Sequence, residues 1–370
     1  MKKQNEHTLK ENEVIINMLK DKFYIQWHIT NYCNLRCQHC YQEEFSAKND
    51  LPMEELKAVA DNLISTAKNW KRKIDITVTG GEPLAKRESF PLLSYLDQKE
   101  EVNKLSIITN GLFINSDILS QLSKISKLEN IKISLDGASE KTNDLIRGAG
   151  TFQKVMKSIE LLKKFNKLET ILMFTVMKTN FNEIEDIFEL CKDFTLNGFI
   201  VERFIPIGQS RKIKEQIINK KEWKNLVTKL LSFCEINPLE EDILPYRAFQ
   251  IKFNPNSPIY QSANPPIHQL TNSPILELFG APCTAGTDGI CIMPNGIVYP
   301  CRRFNLPVGN LVKQSLSEIW QNSELLNKIR GKSNLKGKCK ECPIKTCRGC
   351  RALAYALTGD YLAEDTQCWL

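Results

Sequence analysis

Short apolar segments alternate with longer amphipathic segments between residues 23 and 204 of the chain. The apolar segments are rich in Ile, Val, Phe and Thr and are too short for buried helices, so we predict strands there. The amphipathic segments between them predict helices. Strands that alternate with helices pair in parallel through right-handed crossovers, which predicts an α/β fold with a partial (β/α)6 TIM-like barrel. The predicted strands span residues 23–29, 74–79, 105–110, 131–135, 170–177 and 198–204, and the predicted helices span residues 53–70, 152–165 and 183–194.

The pattern changes after residue 205. A helical pattern covers residues 221–234, whereas the many prolines of residues 236–282 predict little regular structure. Cysteines become dense from residue 283 onward, after which a hairpin strand is expected at residues 289–293. We therefore expect a small cysteine-rich domain behind the barrel. The predicted regions are an N-terminal extension (1–22), the barrel (23–205), a linker or substrate-covering segment (206–280) and the cysteine-rich domain (281–370).

Composition and charge narrow the class of protein. The 370 residues are 42% hydrophobic and 25% charged, which allows a large core, and no apolar run is long enough for a membrane span. The 50 basic and 43 acidic residues are interspersed, so the net charge of +7 is weak support for nucleic-acid binding. The N-terminus lacks the apolar segment of a secretory signal. We expect a cytoplasmic protein with no nucleic-acid or membrane partner, whose 13 cysteines serve metal binding or catalysis.

Cys33, Cys37 and Cys40 form a C-x3-C-x2-C triplet directly after the first predicted strand. Three thiolates can hold one compact iron–sulfur cluster but leave one iron of four without a protein ligand. The alternative is a structural zinc with His39 as the fourth ligand, although a residue adjacent to Cys40 is poorly spaced for a closed tetrahedral site. An open iron is what a reactive cluster requires.

The triplet, followed by the aromatic Tyr41, resembles the cluster motif of the radical S-adenosylmethionine (radical SAM) superfamily. The sequence after the second strand, Thr79-Gly80-Gly81-Glu82-Pro83, is similar to the GGE motif of that family. This motif holds the methionine amino group. The resemblance implies that Gly80 and Gly81 allow close backbone approach and that Glu82 accepts a hydrogen bond from an ammonium.

Polar residues also follow the third and fourth predicted strands, where the resemblance implies further contacts to S-adenosylmethionine. Asn110 ends the third strand, Ser134 or Asp136 would contact the ribose, and Arg147 would contact the methionine carboxylate. The implied cofactors are a [4Fe–4S] cluster and S-adenosylmethionine. Cleavage of the latter would give a 5′-deoxyadenosyl radical that abstracts hydrogen from an unactivated C–H bond.

The C-terminal cysteines form a second pattern. The short gap between its two close cysteine pairs does not fit a zinc knuckle and favours the interleaved ligands of ferredoxin-like clusters. The order resembles the SPASM domain of radical SAM maturases, which implies two auxiliary [4Fe–4S] clusters. The implied ligands are Cys339, Cys342, Cys347 and Cys368 for one cluster, and Cys283, Cys301 and Cys350 with an open fourth position for the other.

The C-terminal spacing also departs from the usual SPASM pattern. Four residues separate Cys342 from Cys347 and two separate Cys347 from Cys350, where the family has five and three. The division of the ligands between the two clusters is therefore less secure than the total number of ligands. Cys291 lies in a predicted strand and is expected to be a core thiol rather than a ligand, as are Cys191 and Cys234 in helical segments. Arg302 stands where anaerobic sulfatase maturases place an Asp base, which argues against that activity.

The leading hypothesis is a radical SAM/SPASM enzyme that oxidatively modifies a peptide or a peptide-derived cofactor precursor. The C-terminal residues 349–368 are similar to those of mycofactocin-type maturases and of alternative-haem synthesis enzymes, and the family resemblance extends to maturases of the pyrroloquinoline-quinone type. Tetrapyrrole side-chain modification in haem synthesis is therefore the alternative. An iron–sulfur electron carrier and a zinc-ribbon nucleic-acid binder are the non-enzymatic alternatives.

If the substrate is a peptide, the sequence also predicts which other proteins the enzyme needs. The 22 residues before the first strand are too few for a winged-helix leader-recognition domain, so we expect a separate leader-recognition protein. The helical stretch at residues 13–20 and the basic loop at residues 206–219 are expected to dock the peptide through rim charges. The electron donor would be a flavodoxin or a ferredoxin.

Overall fold

The protein is described here by a computed structural model that covers residues 22–165, 167–234, 245–253, 276–281, 283–344 and 347–370. Within these ranges, eleven strands form one sheet in the order β11-β10-β9-β1-β2-β3-β4-β5-β6-β7-β8. The strands are β1 (Lys22–His28), β2 (Lys73–Thr79), β3 (Val102–Thr109), β4 (Leu128–Ser134), β5 (Glu169–Val176), β6 (Gly198–Arg203), β7 (Ala248–Phe253), β8 (Leu276–Ala281), β9 (Gly289–Ile292), β10 (Ile297–Tyr299) and β11 (Gly309–Asn310).

The α-helices of the described ranges lie between the parallel strands and in the C-terminal part. They are α1 (Met53–Trp70), α2 (Ser89–Asp97), α3 (Ser116–Leu122), α4 (Glu140–Arg147), α5 (Thr151–Phe165), α6 (Ile184–Asp193), α7 (Lys220–Phe233), α8 (Leu316–Asn322), α9 (Glu324–Arg330), α10 (Lys338–Glu341) and α11 (Arg351–Thr358). In the part of the chain that the structure describes, no helix has the length and apolar character that crossing a membrane requires.

The six strands β1 to β6 pair in parallel, and the predicted α/β partial barrel is confirmed. Ile25 of β1 lies opposite Ile76 of β2 on one side and opposite Ile290 of β9 on the other. At the far edge, Val201 of β6 pairs with Phe249 of the antiparallel strand β7. Apolar side chains of these strands pack against α1 to α3 and α5 to α7 in one continuous core. The carboxyl ends of the parallel strands, where chemistry is usually located in such folds, lie at one end of the barrel.

Helix α1 shows how the amphipathic pattern forms this core. It begins after Pro52 with two acidic residues in its first turn and ends where Lys71 adopts a left-handed conformation, with φ of 54°. Leu56, Val59 and Leu63 recur at helical spacing on one face and are all buried. The helix therefore covers the sheet with the face that the sequence pattern predicts.

The expectation of little regular structure over residues 236–282 is wrong for two segments. Strands β7 and β8 pair with each other and extend the barrel sheet beyond β6, with Phe249 and Ile251 buried in the core. The prolines that led to the expectation lie almost entirely in residues 254–275 and 282, outside the described residues, as does the predicted helical stretch at residues 13–20.

A buried ion pair joins the barrel to the C-terminal part of the chain. Arg203 ends β6, and its two terminal nitrogens donate to the carboxylate of Asp365 at 3.1 and 2.9 Å. Both side chains are only 1% exposed. The backbone N–H of Cys350 donates to the same carboxylate at 2.9 Å. Because a lone buried charge is costly, each partner depends on the other.

We predict that Asp365→Asn lowers the free energy of unfolding by about 3 kcal/mol, because the buried Arg203 charge loses its counterion. Thermal unfolding of the anaerobic holoprotein measures this loss. The matched control is Glu189→Gln, which breaks an exposed ion pair of 2.9 Å with Lys192 and should cost less than about 0.5 kcal/mol. Equal effects of the two variants would contradict the structural role assigned to the buried pair.

Candidate active site

The cysteine loop, residues 29–42, follows β1 and lies against the glycine-containing loop that follows β2. Gly81 N–H donates to the Thr30 carbonyl at 2.8 Å, and Glu82 N–H donates to the Tyr32 carbonyl at 2.7 Å. A Cβ at Gly80 would lie 2.6 Å from the Thr30 oxygen, and a Cβ at Gly81 would overlap the Tyr32 carbonyl. The two glycines therefore allow two backbones to approach each other.

Backbone and side-chain N–H groups surround the thiols of the triplet. Leu35 N–H and Gln42 N–H each donate to a thiol two residues earlier, at 3.4 Å to Cys33 and 3.4 Å to Cys40. Burial raises the pKa of Cys37 to about 12 and also raises the pKa values of Cys33 and Cys40. Buried thiols of this kind become thiolates when a bound cation compensates the charge, so the donor set fits a cluster.

Among the described residues, no zinc site is assembled around His39 and the triplet. The Nε2 atom of His39 lies 3.1 Å from the carboxylate of Asp136 and is engaged there. Within the described ranges, no group of three or more His, Cys, Asp or Glu side chains is arranged around a single metal ion. The triplet thiols therefore fit a polynuclear cluster better than a tetrahedral zinc site.

A second loop, part of the basic segment 206–219 that the sequence predicts to dock a peptide, packs on the cysteine loop from the end of β6. Its contact with the cysteine loop was not predicted. Ser210 N–H donates to the Cys40 carbonyl at 3.1 Å, and Gln209 N–H donates to the Gln42 carbonyl at 3.2 Å. Gly208 has φ of +61°, and a Cβ there would overlap the Tyr41 carbonyl. The signal in the sequence is a glycine just beyond the last barrel strand.

Glu82 is fully buried and holds the end of β3. Its Oε1 atom accepts from Leu84 N–H at 3.0 Å and from the Thr109 hydroxyl at 2.7 Å, and its Oε2 atom accepts from Asn110 N–H at 2.7 Å. Burial raises the pKa of Glu82 to about 7. Since a carboxylate oxygen has two lone pairs, Oε2 retains one position for a further donor.

Asp136 is also fully buried, and its carboxylate is already bonded. Arg147 lies 2.6 Å from one oxygen, and Thr175 N–H donates to the other at 2.7 Å. Although burial alone would raise the pKa of Asp136, Arg147 and His39 hold it well below its usual range. Of the two residues predicted for the ribose, the half-buried Ser134 is the one whose hydroxyl has no hydrogen bond within the described residues.

Asn110 lies between the cysteine loop and β3. Its Nδ2 atom donates to Asn34 Oδ1 at 2.8 Å and lies 3.9 Å from the thiol of Cys33, while its Oδ1 atom accepts from Leu112 N–H at 3.0 Å. The side chain therefore connects the loop after β1 to the end of β3, beside a predicted cluster ligand.

Four C-terminal thiols line one cavity, namely those of Cys339, Cys342, Cys347 and Cys368. N–H groups again surround them: Gly349 N–H lies 3.3 Å from Cys347 and Asp365 N–H lies 3.4 Å from Cys339. Gly349 has φ of +62°, and a Cβ there would lie 2.9 Å from the Cys339 thiol. This chemistry fits the same kind of cluster as the triplet does.

The remaining ligand candidates line a second cavity, which extends into the barrel. The thiols of Cys283, Cys301 and Cys350 lie on its wall, and so does that of Cys291. Burial raises the pKa of Cys283 to about 12 and raises that of Cys350. The fourth ligand at this cavity would be either Cys291 or a group other than a cysteine.

A barrel with an open-cluster triplet and a second set of crowded thiols defines an S-adenosylmethionine-dependent iron–sulfur enzyme. Residues 27–191 match the model of the Radical SAM superfamily, and residues 283–351 match that of SPASM, an iron-sulfur cluster-binding domain. The chain belongs to the radical SAM superfamily and carries the C-terminal SPASM domain. Its cofactors are [4Fe–4S] clusters and S-adenosylmethionine.

Similar proteins act on different substrates. The chain is 30% identical to the AdoMet-dependent heme synthase of Methanosarcina barkeri (strain Fusaro / DSM 804), over 93% of this chain and 95% of that protein. It is 25% identical to the antilisterial bacteriocin subtilosin biosynthesis protein AlbA of Bacillus subtilis (strain 168), over 82% of this chain and 60% of that protein. Streptococcus suis SuiB bound to S-adenosylmethionine shares the fold, with a TM-score of 0.67, 18% identity, and coverage of 99% of this chain and 83% of that one.

We predict that anaerobically reconstituted protein binds about twelve iron and about twelve sulfide per chain, as three four-iron clusters require. Replacing Cys339 and Cys342 by Ala should remove about four of each. The matched control is Cys191→Ala, because that thiol is buried in α6 among apolar side chains. Iron and sulfide analysis with Mössbauer spectroscopy measures the counts, and a wild-type value near four would remove the auxiliary clusters.

A second prediction concerns pH and Glu82. With its pKa raised to about 7, the Glu82 carboxyl is mostly protonated at pH 6 and mostly ionised at pH 8. Only the ionised form would be a full acceptor for the methionine amino group that the family resemblance predicts to bind here. The ratio of S-adenosylmethionine Kd values, Glu82→Gln over wild type, should rise from near one at pH 6 to roughly ten at pH 8. Equilibrium dialysis measures it, and a ratio independent of pH would exclude this contact.

Proposed function

We propose that this protein oxidises a carboxylate-bearing side chain of an iron tetrapyrrole, and its similarity to an AdoMet-dependent heme synthase supports a substrate of the tetrapyrrole class. One observation supports the proposal beyond the similarity: basic side chains outnumber acidic ones on the wall of the cavity inside the barrel. Seven lysine or arginine side chains but only three acidic side chains line it. A substrate with several carboxylates, such as a tetrapyrrole with propionate groups, matches that charge.

Part of this basic lining is neutralised by the protein itself, and part is left for a ligand. Glu202 lies 3.2 Å from Arg247 and also pairs with Arg303. Burial alone would raise the pKa of Glu202, but the two arginines lower it. Lys132 has no ion pair among the described residues, and burial lowers its pKa to about 8. An anionic substrate would relieve the cost of this half-buried amine, which has no ion pair among the described residues.

The residues around the triplet would hold the cofactor. Cys33, Cys37 and Cys40 would ligate the catalytic cluster, while Glu82 and Ser134 would contact the methionine amino group and the ribose. Tyr41, Gly80, Gly81, Asn110 and Arg147 would complete the S-adenosylmethionine site. When bound, the clusters would supply the electron that cleaves S-adenosylmethionine and accept the electron that the substrate loses.

The proposed reaction balances as a two-electron oxidation. A propionate side chain loses one hydrogen atom to the 5′-deoxyadenosyl radical, then carbon dioxide and one electron, and a vinyl group remains. The buried cavity excludes water from the carbon-centred species formed between these steps. We also propose that the protein works in the reducing cytoplasm, because an oxidising compartment would favour disulfides among the ten cysteines proposed as cluster ligands.

We predict that the reconstituted enzyme, given S-adenosylmethionine and dithionite anaerobically, converts iron coproporphyrin III to a product lighter by one carbon dioxide and two hydrogens per reacted side chain. One 5′-deoxyadenosine should form for each such loss. Mass spectrometry and chromatography measure both. Cys37→Ala is the control for the radical step, and the tetramethyl ester of the same tetrapyrrole is the control for the carboxylate. An unchanged tetrapyrrole in the presence of steady 5′-deoxyadenosine formation would refute this proposal.

Peptide maturation is the second candidate function, and the similarity to the subtilosin biosynthesis protein favours it. In that case we propose a separate leader-recognition protein as partner, and for either function a flavodoxin or ferredoxin as electron donor. A peptide encoded beside this gene, incubated in the same assay, would then be modified while the tetrapyrrole stays unchanged.

A further inference from the structure

Arg302 follows the cluster-ligand candidate Cys301 and lines the barrel cavity. Its side chain is buried, with 6% of the residue exposed. The guanidinium carbon lies 3.9 Å from the centroid of the Tyr41 ring, the aromatic residue that follows Cys40. Arg302 therefore places a positive charge between the C-terminal part of the chain and the cysteine loop.

This charge has no carboxylate partner. Within the described residues Arg302 makes no hydrogen bond and no ion pair, and its Nε atom is buried without an acceptor. The other arginines at this end of the cavity are paired: Arg203 with Asp365, and Arg247 and Arg303 with Glu202. The Nε donor of Arg302 is thus buried without a hydrogen bond, which is costly, and no acceptor among the described residues meets its four Nη–H donors.

A ligand would satisfy these donors best if it brought a carboxylate. The guanidinium presents two parallel N–H groups that match the two oxygens of a carboxylate, and this bidentate pair is strongest where water is excluded. The acidic groups whose pKa Arg302 lowers against the effect of burial are thiols and phenols, among them Cys40, Cys291 and Tyr41. A cluster thiolate accepts hydrogen bonds weakly and does not present two oxygens.

We propose that the Arg302 guanidinium binds a carboxylate of the substrate at the wall of the cavity beside the cysteine loop. This inference rests on the proposed function, because it takes the carboxylate to be a tetrapyrrole propionate. Stacking on Tyr41 fixes the guanidinium plane, so the bound carboxylate has a defined direction. The carboxylate is thereby held next to the loop where the radical is generated, and Arg302 acts as a positioning residue.

The test compares binding of a tetra-acid and its ester. Anaerobic holoenzyme without reductant is titrated with iron coproporphyrin III and with its tetramethyl ester, and the Kd values are obtained from absorbance changes. Arg302→Gln should weaken binding of the acid roughly ten- to hundred-fold and leave that of the ester unchanged. The Kd of Arg302→Lys for the acid should lie between the values for wild type and Arg302→Gln. Arg87→Gln is the matched charge control, since that side chain is 93% exposed and outside the cavity, and it should bind like wild type.

Three other outcomes would overturn the inference, and they distinguish its failure from that of the proposed function. If wild type binds neither tetrapyrrole, the proposed function fails and the inference fails with it. If wild type and Arg302→Gln bind the acid equally, only the inference fails. If the variant binds the acid normally but changes the electron paramagnetic resonance spectrum of the reduced cluster, Arg302 serves the cluster and the inference is overturned. Iron content and circular dichroism show whether Arg302→Gln has kept its fold. If it has not, the binding of Arg302→Lys is compared with that of wild type instead.

Discussion

The site depends on the close packing of backbone segments around the cysteine loop. The loop after β2 approaches it through Gly80 and Gly81, and the loop after β6 approaches it through Gly208. At each contact a side chain would collide with a backbone carbonyl, so the thiols keep their relative positions only while these positions lack a Cβ. The N–H groups beside the thiols and the carboxylate of Glu82 depend on the same packing.

Much of the barrel follows from sequence periodicity. The six parallel strands and the longest helices lie within a few residues of their predicted positions, because fully buried strands and amphipathic helices have distinct patterns. The short helices α2, α3 and α4 were not predicted, since two turns contain too few apolar positions to show a period. Strands β7 and β8 were missed because the proline-rich residues between them dominated the composition of that segment.

The site was predictable where chemistry fixes spacing along the chain and not where it depends on distant partners. The cysteine triplet could be found from its spacing, and the structure places its loop at the end of β1. The pairing of Asp136 with His39 and Arg147 could not be found, because the three residues come from different elements. The pairing of Arg203 with Asp365 spans 162 positions and leaves no local pattern.

The pairing of β9 with β1 covers an edge of the barrel sheet to which another molecule could otherwise add a strand. In the sheet order of the described strands, β1 is an interior strand, and the edge on that side is β11, which has only two residues. A barrel cut off before residue 283 would expose the apolar strand β1 along its whole length. An exposed edge of that kind invites pairing between molecules and aggregation. The cluster-binding domain thus also protects the barrel from forming intermolecular sheets.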